Sequence, residues 1–512
     1  MMWCLFMPRT LFERVEGRAP RLTACASILL VVAAFGVASA ATMPAKDLPG
    51  DHLEAGLQGQ NLPEDLKLGI LPQPYSKRVR LVGHTDIWGR DSNIQLAWSG
   101  HCAYVSSSPL NFLGWAMKPN SAETSGVAVI DVSDPHHPKS VRLLRERGAL
   151  YAAETFAAAS APDRKVLAAG AYAGGKPGSK PEDAAWLDIY DVSDCANPKL
   201  MSEYQWPENV HAITVAPNGQ RVYGTSIDPF SGKGGLLVLD ISDMTHPRFL
   251  GKLGATRPDG TTYEFAPHEV SINADERRIY AGVIASTGGD LNPGIKLFPP
   301  SAEGLGPDAG GIYVFDNSDI VDGRPNPQLR LIGTAPHGGW HSVMPANING
   351  TPYLVGGGEL GACPGAWPKI VNIADEAHPV VAGEFKLQMN RKENCPPPGK
   401  VEVASRGISG APGTASLHFN DVDSATDTRL GLFQFMWSGL RIADLRDPKN
   451  PVEVAYFKPG DACGGHVRYL PETGHIWFAC AASGFYVIEL TPQLRASLGL
   501  PGVPAMATKP RP

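Results

Sequence analysis

The chain has 512 residues and a formal net charge of −6, with 43% hydrophobic and 19% charged residues, and Gly and Pro together make 102. Both exceed their usual shares of roughly 7% and 5%, but no G-X-Y period exists, which excludes collagen, and apolar residues run throughout, which excludes a disordered chain. The acidic balance argues against nucleic acid or an anionic membrane surface as a partner.

In chain order, the first feature is an apolar segment over 24–36 that follows Arg9, Arg14, Arg18 and Arg21 and closes on Ala38-Ser39-Ala40. This pattern predicts a secretory signal peptide over 1–40, cleaved near Ala40. A retained membrane anchor is the alternative, at the short limit for spanning. Without residues 1–40 the chain loses four Arg and two Glu, leaving 41 basic and 49 acidic side chains and a charge of −8. No later apolar stretch is long enough to span a bilayer. The expectation is a soluble, periplasmic or secreted protein. Residues 41–76 read as an N-terminal extension and 493–512 as a C-terminal tail. Six cysteines remain, an even number that favours disulfides in an oxidising compartment.

The Gly and Pro residues punctuate a repeat. Val129-Ile130-Asp131-Val132-Ser133-Asp134-Pro135, continuing to His137-Pro138, recurs as Ile189-Tyr190-Asp191-Val192-Ser193-Asp194 and Val238-Leu239-Asp240-Ile241-Ser242-Asp243. Looser copies follow at Asp316, Asn372 and Asp444, and a truncated one at Tyr486-Val487-Ile488-Glu489-Leu490, with spacings of 45 to 76 residues. Each copy reads as strand, turn, strand, and most are preceded by a hairpin such as Ile213–Val215, Pro217-Asn218-Gly219, Arg221–Tyr223. One unit is four antiparallel strands, and seven units predict an all-β, seven-bladed β-propeller over 77–492. The last copy lacks its outer strand, and Arg78–Gly83 has that strand's character, so the N-terminal strand is expected to close the ring. An open β-array is the alternative.

These segments resemble the LVIVD-repeat family of bacterial β-propellers. More distantly, the D-x-S-D-P-x-x-P turns are similar to those of the selenium-binding-protein and methanethiol-oxidase group. That resemblance implies a metal-dependent propeller, although none of the group's histidine motifs is carried over.

A second periodicity runs through the repeats. His211, His268, His341, His418 and His466 each lie twelve residues before Tyr223, Tyr280, Tyr353, Leu430 and Phe478. All five therefore take one structural position, the start of the innermost strand, in blades three to seven. Ser92-Asn93 and Glu154-Thr155 correspond in blades one and two. Innermost strands line the axis, so these positions converge, and imidazole is the commonest metal ligand. Three or four of the five could bind one transition-metal ion, with copper or iron favoured and manganese or zinc open. A purely structural histidine ring is the bland alternative.

Connections alternate between the two ends of a blade. Short turns share one end, while the long insertions (107–125, 173–185, 286–310, 356–368 and 387–416) share the end that holds the histidines. Long loops on a rigid scaffold carry function, so a small-molecule substrate is expected on that face. Glu269 beside His268 and Glu359 in a loop are candidate catalytic acids, with solvated carboxylates as the alternative. His337 is a lesser ligand candidate. Trp115, Trp340, Trp367 and Trp437 either wall a pocket or pack between blades. Cysteine positions predict the pairs Cys363–Cys395, Cys463–Cys480 and Cys102–Cys195, with a copper-ligating cysteine as the rival. No G-x-S-x-G, H-E-x-x-H, P-loop or dinucleotide motif is found. The first expectation is an exported metal-dependent enzyme, an oxidoreductase before a lyase or hydrolase. The second is a non-catalytic propeller binding a partner protein or envelope polymer.

Overall fold

The computed structural model describes residues 50–54, 74–108, 123–171, 185–228, 233–286, 311–336, 340–358, 367–388, 391–394 and 417–500. Their strands form seven sheets, antiparallel except where Ala255–Thr256 pairs parallel with Leu329–Pro336. Blade one is Asn93–Ser99, Cys102–Ser107, Val127–Asp131 and Lys139–Leu144, written from the innermost strand outward. The next five blades repeat this order, starting from Phe156–Ala161, Ile213–Val215, Phe265–Ile272, Ser342–Ile348 and Asn420–Val422. Blade seven has Arg468–Leu470, His475–Cys480 and Gly484–Leu490, and its fourth strand is Val79–Thr85. The seven-bladed reading and the closure by the N-terminal strand both hold, with Val79 opposite Leu490 and Thr85 opposite Phe485.

The repeated motif is turn chemistry. In D-x-S-D, the first Asp accepts the backbone N–H two residues on: Ser133 from Asp131, Ser193 from Asp191 and Ser242 from Asp240. The second Asp closes the next turn, its carbonyl accepting the N–H of His137, Asn197 or His246. Such side-chain acceptors stand in for missing ladder bonds, which is why Asp recurs at both places. His137, His246 and His378 each contact an Asp three residues earlier and stand well exposed, as surface residues of the turns.

The outer strand of every blade carries a bulge. A bulge sharpens twist, and in three blades it brings a glycine against the next blade's turn. A Cβ on Gly83 would stand 2.1 Å from the Pro135 carbonyl, and one on Gly333 2.2 Å from that of Glu376.

Packing follows the same sevenfold plan. Among the described residues, one apolar cluster fills each junction between blades, including that between blades seven and one, where Leu96, Val105 and Ile130 meet Trp477, Phe485 and Val487. Each Leu or Ile buried there contributes roughly 1.5–3 kcal/mol. An eighth cluster joins Ile94, Ala153, Met436, Trp437, Ala462 and Ala481 across blades one, two, six and seven.

Structure continues beyond the repeats at both ends. Tyr75–Lys77 adds a fifth strand to blade six. Just before it, Glu54 pairs with the fully buried Arg441, which also meets Glu453 at 3.3 Å. Within the expected C-terminal tail, the helix Pro492–Leu498 buries Leu494 and Leu498 in the core of blades six and seven and ends at Gly499 in the left-handed conformation. Disulfides join Cys102 to Cys195 and Cys463 to Cys480. Cys363 and Cys395 lie outside the described residues, as does the segment expected to be a signal peptide. No described helix is long and apolar enough to cross a membrane.

Candidate functional site

The shared position of the histidines has a local cause. The N–H groups of His211, His341 and His418 bond the carbonyls of Thr225, Gly357 and Gln434, each in its blade's second strand. The hairpin thus holds these residues before the innermost strand proper begins, one or two residues later. His268 lies within its strand, Phe265–Ile272. At the same position of blade two stands Glu154, two residues ahead of Phe156–Ala161.

Four histidines converge on that carboxylate. His418 Nε2 lies 3.2 Å from Glu154 Oε1, while the Nε2 atoms of His211, His268 and His341 lie 3.4, 3.7 and 3.7 Å from Oε2. The rings are crowded, with centroids 4.2 Å apart for His211–His268, 3.7 Å for His268–His341 and 4.2 Å for His341–His418. The ligand atoms of Glu154, His211 and His268 lie within 4.8 Å of one another, as do those of Glu154, His341 and His418, a spacing at which a metal ion can be held. His101 with Cys102 and Cys195 has similar spacing. Both of those cysteines are in a disulfide, so neither offers a thiolate, and the same holds for Cys463 and Cys480.

Burial dominates the electrostatics. It pushes His341 down to about 3, helped by the His418 charge and opposed by Glu154. His268 is driven well below its ordinary range by burial and by His341 and His211. Burial alone would raise Glu154, but the His418 charge and the close approach of His211, His341 and His418 hold it well below the usual carboxylate range. Burial thus disfavours the charged forms of His268 and His341 beside the Glu154 carboxylate.

His466 has different neighbours. Its Nε2 lies 2.7 Å from Glu269 Oε1 and its Nδ1 3.1 Å from Asp421 Oδ2. Phe419 stands between, its ring 4.7 Å from those of both His418 and His466. Burial opposes the charge on His466, but Asp421 and Glu269 raise it well above the ordinary histidine range. Glu269 is raised by burial, with His466 opposing.

The structure thus brings His211, His268, His341 and His418 together and places His466 with Glu269. Glu359 and His337 lie outside the described residues, as does Trp115. Trp340 packs between blades four and five, Trp437 belongs to the apolar cluster beside the axis, and Lys386 sits over Trp367. Glu154 and Asp421 were not among the candidate ligands or acids read from the sequence. For Glu154 the signal existed in its register with the histidines; for Asp421, three residues after His418, there was none.

A cavity of about 170 Å³ follows the axis. All seven blades contribute to its wall, through Gln95–Trp98, Glu154, Phe156–Ala158, Ile213–Val215, Glu269–Ser271, Met344, Asp421 and His466. These positions run from the histidine level along the innermost strands toward the short-turn end, opposite the face on which the substrate was expected.

Fold and site together define a seven-bladed β-propeller with a buried histidine–glutamate cluster on its axis. The LVIVD repeat family model matches residues 231–253, a stretch that includes the third strand of blade three, Lys233–Asp240. No sequence among curated proteins matches it. Similar solved structures include the periplasmic gluconolactonase PpgL of Pseudomonas aeruginosa, 12% identical with a TM-score of 0.44, covering 70% of this chain and 85% of that one. Another is the β-propeller domain of Myceliophteria thermophila Cps50 (Swd1), 10% identical with a TM-score of 0.46, covering 81% of this chain and 99% of that one.

Proposed function

We propose that the protein is an exported metal-dependent enzyme, an oxidoreductase on a small molecule, whose metal is held on the axis by His211, His268, His341, His418 and Glu154. The observation that carries this reading is the chemistry of His418. Its Nδ1 contacts the Gly464 carbonyl, which only accepts, so Nδ1 carries the hydrogen. Nε2, the other ring nitrogen, faces Glu154 Oε1 3.2 Å away. Three further imidazoles close on the same carboxylate, and this spacing of ring nitrogens and carboxylate oxygens suits a metal ion. A metal-bound imidazole commonly donates its other N–H to a backbone carbonyl in this way.

The donor set fits a transition metal. Imidazole with carboxylate suits iron, copper, manganese or zinc, and no thiolate biases the choice. When bound, the ion would supply Lewis acidity or electron transfer. The chain's own contribution is rigidity: the ligands are held at hairpin ends, and buried packing excludes water around them. Glu269 and His466, paired on the channel wall, are placed to hold or pass a proton beside the site. Export is supported by the two disulfides and by the pattern of residues 1–40.

Metal analysis of the purified protein from metal-replete medium tests this reading. About one transition-metal ion per chain is expected, with loss of at least 10-fold in occupancy in His268→Ala, His418→Ala and Glu154→Gln, and a lowered thermal midpoint on chelation. Metal-free protein with a midpoint indifferent to chelator would leave the cluster a structural ring and overturn the proposal.

A further inference from the structure

Glu269 carries more acceptor capacity than its neighbours use. Oε1 meets His466, but the buried Oε2 has no hydrogen-bond partner among the described residues, and the residue is only 4% exposed. An unsatisfied buried carboxylate oxygen is costly unless a donor occupies the adjoining space. That space is the axial cavity, whose wall includes Glu269. His466 is shared between Glu269 and Asp421, so a single imidazole serves two carboxyl groups at this end of the cavity. No lysine or arginine is among the described lining residues. The wall hydroxyls are already committed, Thr214 donating to the Val270 carbonyl and Ser271 to that of Val343. The remaining wall is largely apolar, with Ile213, Val215, Val270 and Met344.

We propose that the axial cavity binds a small organic cation, an ammonium group on a short apolar body, with the ammonium donating to Glu269 Oε2. A cavity of roughly 150 Å³ admits benzene, so a volume of about 170 Å³ suits a ligand of comparable size. The inference deepens the proposed function, because it names the substrate class of the same axial site.

Calorimetric titration of the full chain with n-butylammonium, butyrate and 1-butanol tests the proposal. Butylammonium is expected to bind at least 10-fold more tightly than either other probe. Glu269→Gln should weaken it at least 10-fold, and Asp421→Asn should weaken it less. Butyrate or butanol binding as tightly as butylammonium would overturn the proposal on the unmodified protein alone. So would unchanged butylammonium affinity in both folded variants, or an effect of Glu269→Gln confined to metal loading. Metal content measured on the same samples separates the two readings. Metal-free protein that binds the amine refutes only the metal site, and metal-loaded protein that ignores it refutes only the substrate class.

Discussion

Asp188 in blade two shows how one buried group couples this fold to pH. It is fully buried, accepting the Ala149 N–H at 2.7 Å and facing the Tyr190 hydroxyl at 3.3 Å. Burial pushes its carboxyl up to about 7, with Glu203 and Glu146 adding to the rise against backbone hydrogen bonds from Ala149 and Gly148. A raised pKa means that the fold prefers the protonated acid. The stability Asp188 contributes is complete below its unfolded value of 3.8 and is lost as pH rises through about 7. Asp188→Asn keeps the acceptor for Ala149 and removes the titration. Its thermal midpoint should exceed that of the wild type by on the order of 2–4 °C at pH 8, and the advantage should shrink toward pH 4. An equal difference at both pH values would refute the assignment. At the axis, Glu154 is the corresponding case of a carboxylate kept ionised, because imidazoles surround it from four blades.

Among the structural elements, the outer strand with its bulge sets how one blade seats on the next. Gly333 lies in the outer strand of blade four, against the turn that opens the outer strand of blade five. A methyl group there would stand 2.2 Å from the Glu376 carbonyl and 2.8 Å from that of Ala377. Backbone cannot yield as a flexible side chain would, so Gly333→Ala should destabilise by about 1–3 kcal/mol. A lower midpoint in thermal denaturation, with the β-sheet circular dichroism retained at 20 °C, checks this. The disulfide Cys102–Cys195 acts at the same level, binding the second strand of blade one to the turn of blade two across a separation of 93 residues. The turn motifs were legible in the sequence because Asp, Ser and Pro act on backbone within a few residues. The bulges were not, since they depend on what each strand meets in the next blade.

For the whole molecule, stability depends on closure. Blades one and seven meet through a cluster that contains Leu96, Ile130, Trp477 and Phe485, and the hydrogen bonds of Val79–Thr85 to Gly484–Leu490 complete the last sheet. A chain beginning at Asp86 would leave blade seven with an open edge and expose that junction. Its midpoint should fall by more than about 10 °C, and adding a peptide of residues 74–86 should restore part of the loss. A truncated chain as stable as the full one would show that the ring does not need its closing strand. Three latches reinforce closure in the structure: Tyr75–Lys77 on blade six, Glu54 with buried Arg441, and the helix Pro492–Leu498.

From the sequence alone came the seven units, the closing strand, the Cys102–Cys195 and Cys463–Cys480 pairs and the common register of the histidines. Each is written in local periodicity or turn chemistry, which a chain carries with it wherever it folds. Only the tertiary structure decided which residues meet on the axis. Glu154 and His418 are 264 positions apart, yet they make the central contact of the site. His466 shares the histidine register but turns to Glu269 and Asp421, with Phe419 beside it. Register places side chains at one height on the axis. Which of them touch there is set by how seven packed blades direct them inward, and no single repeat encodes that.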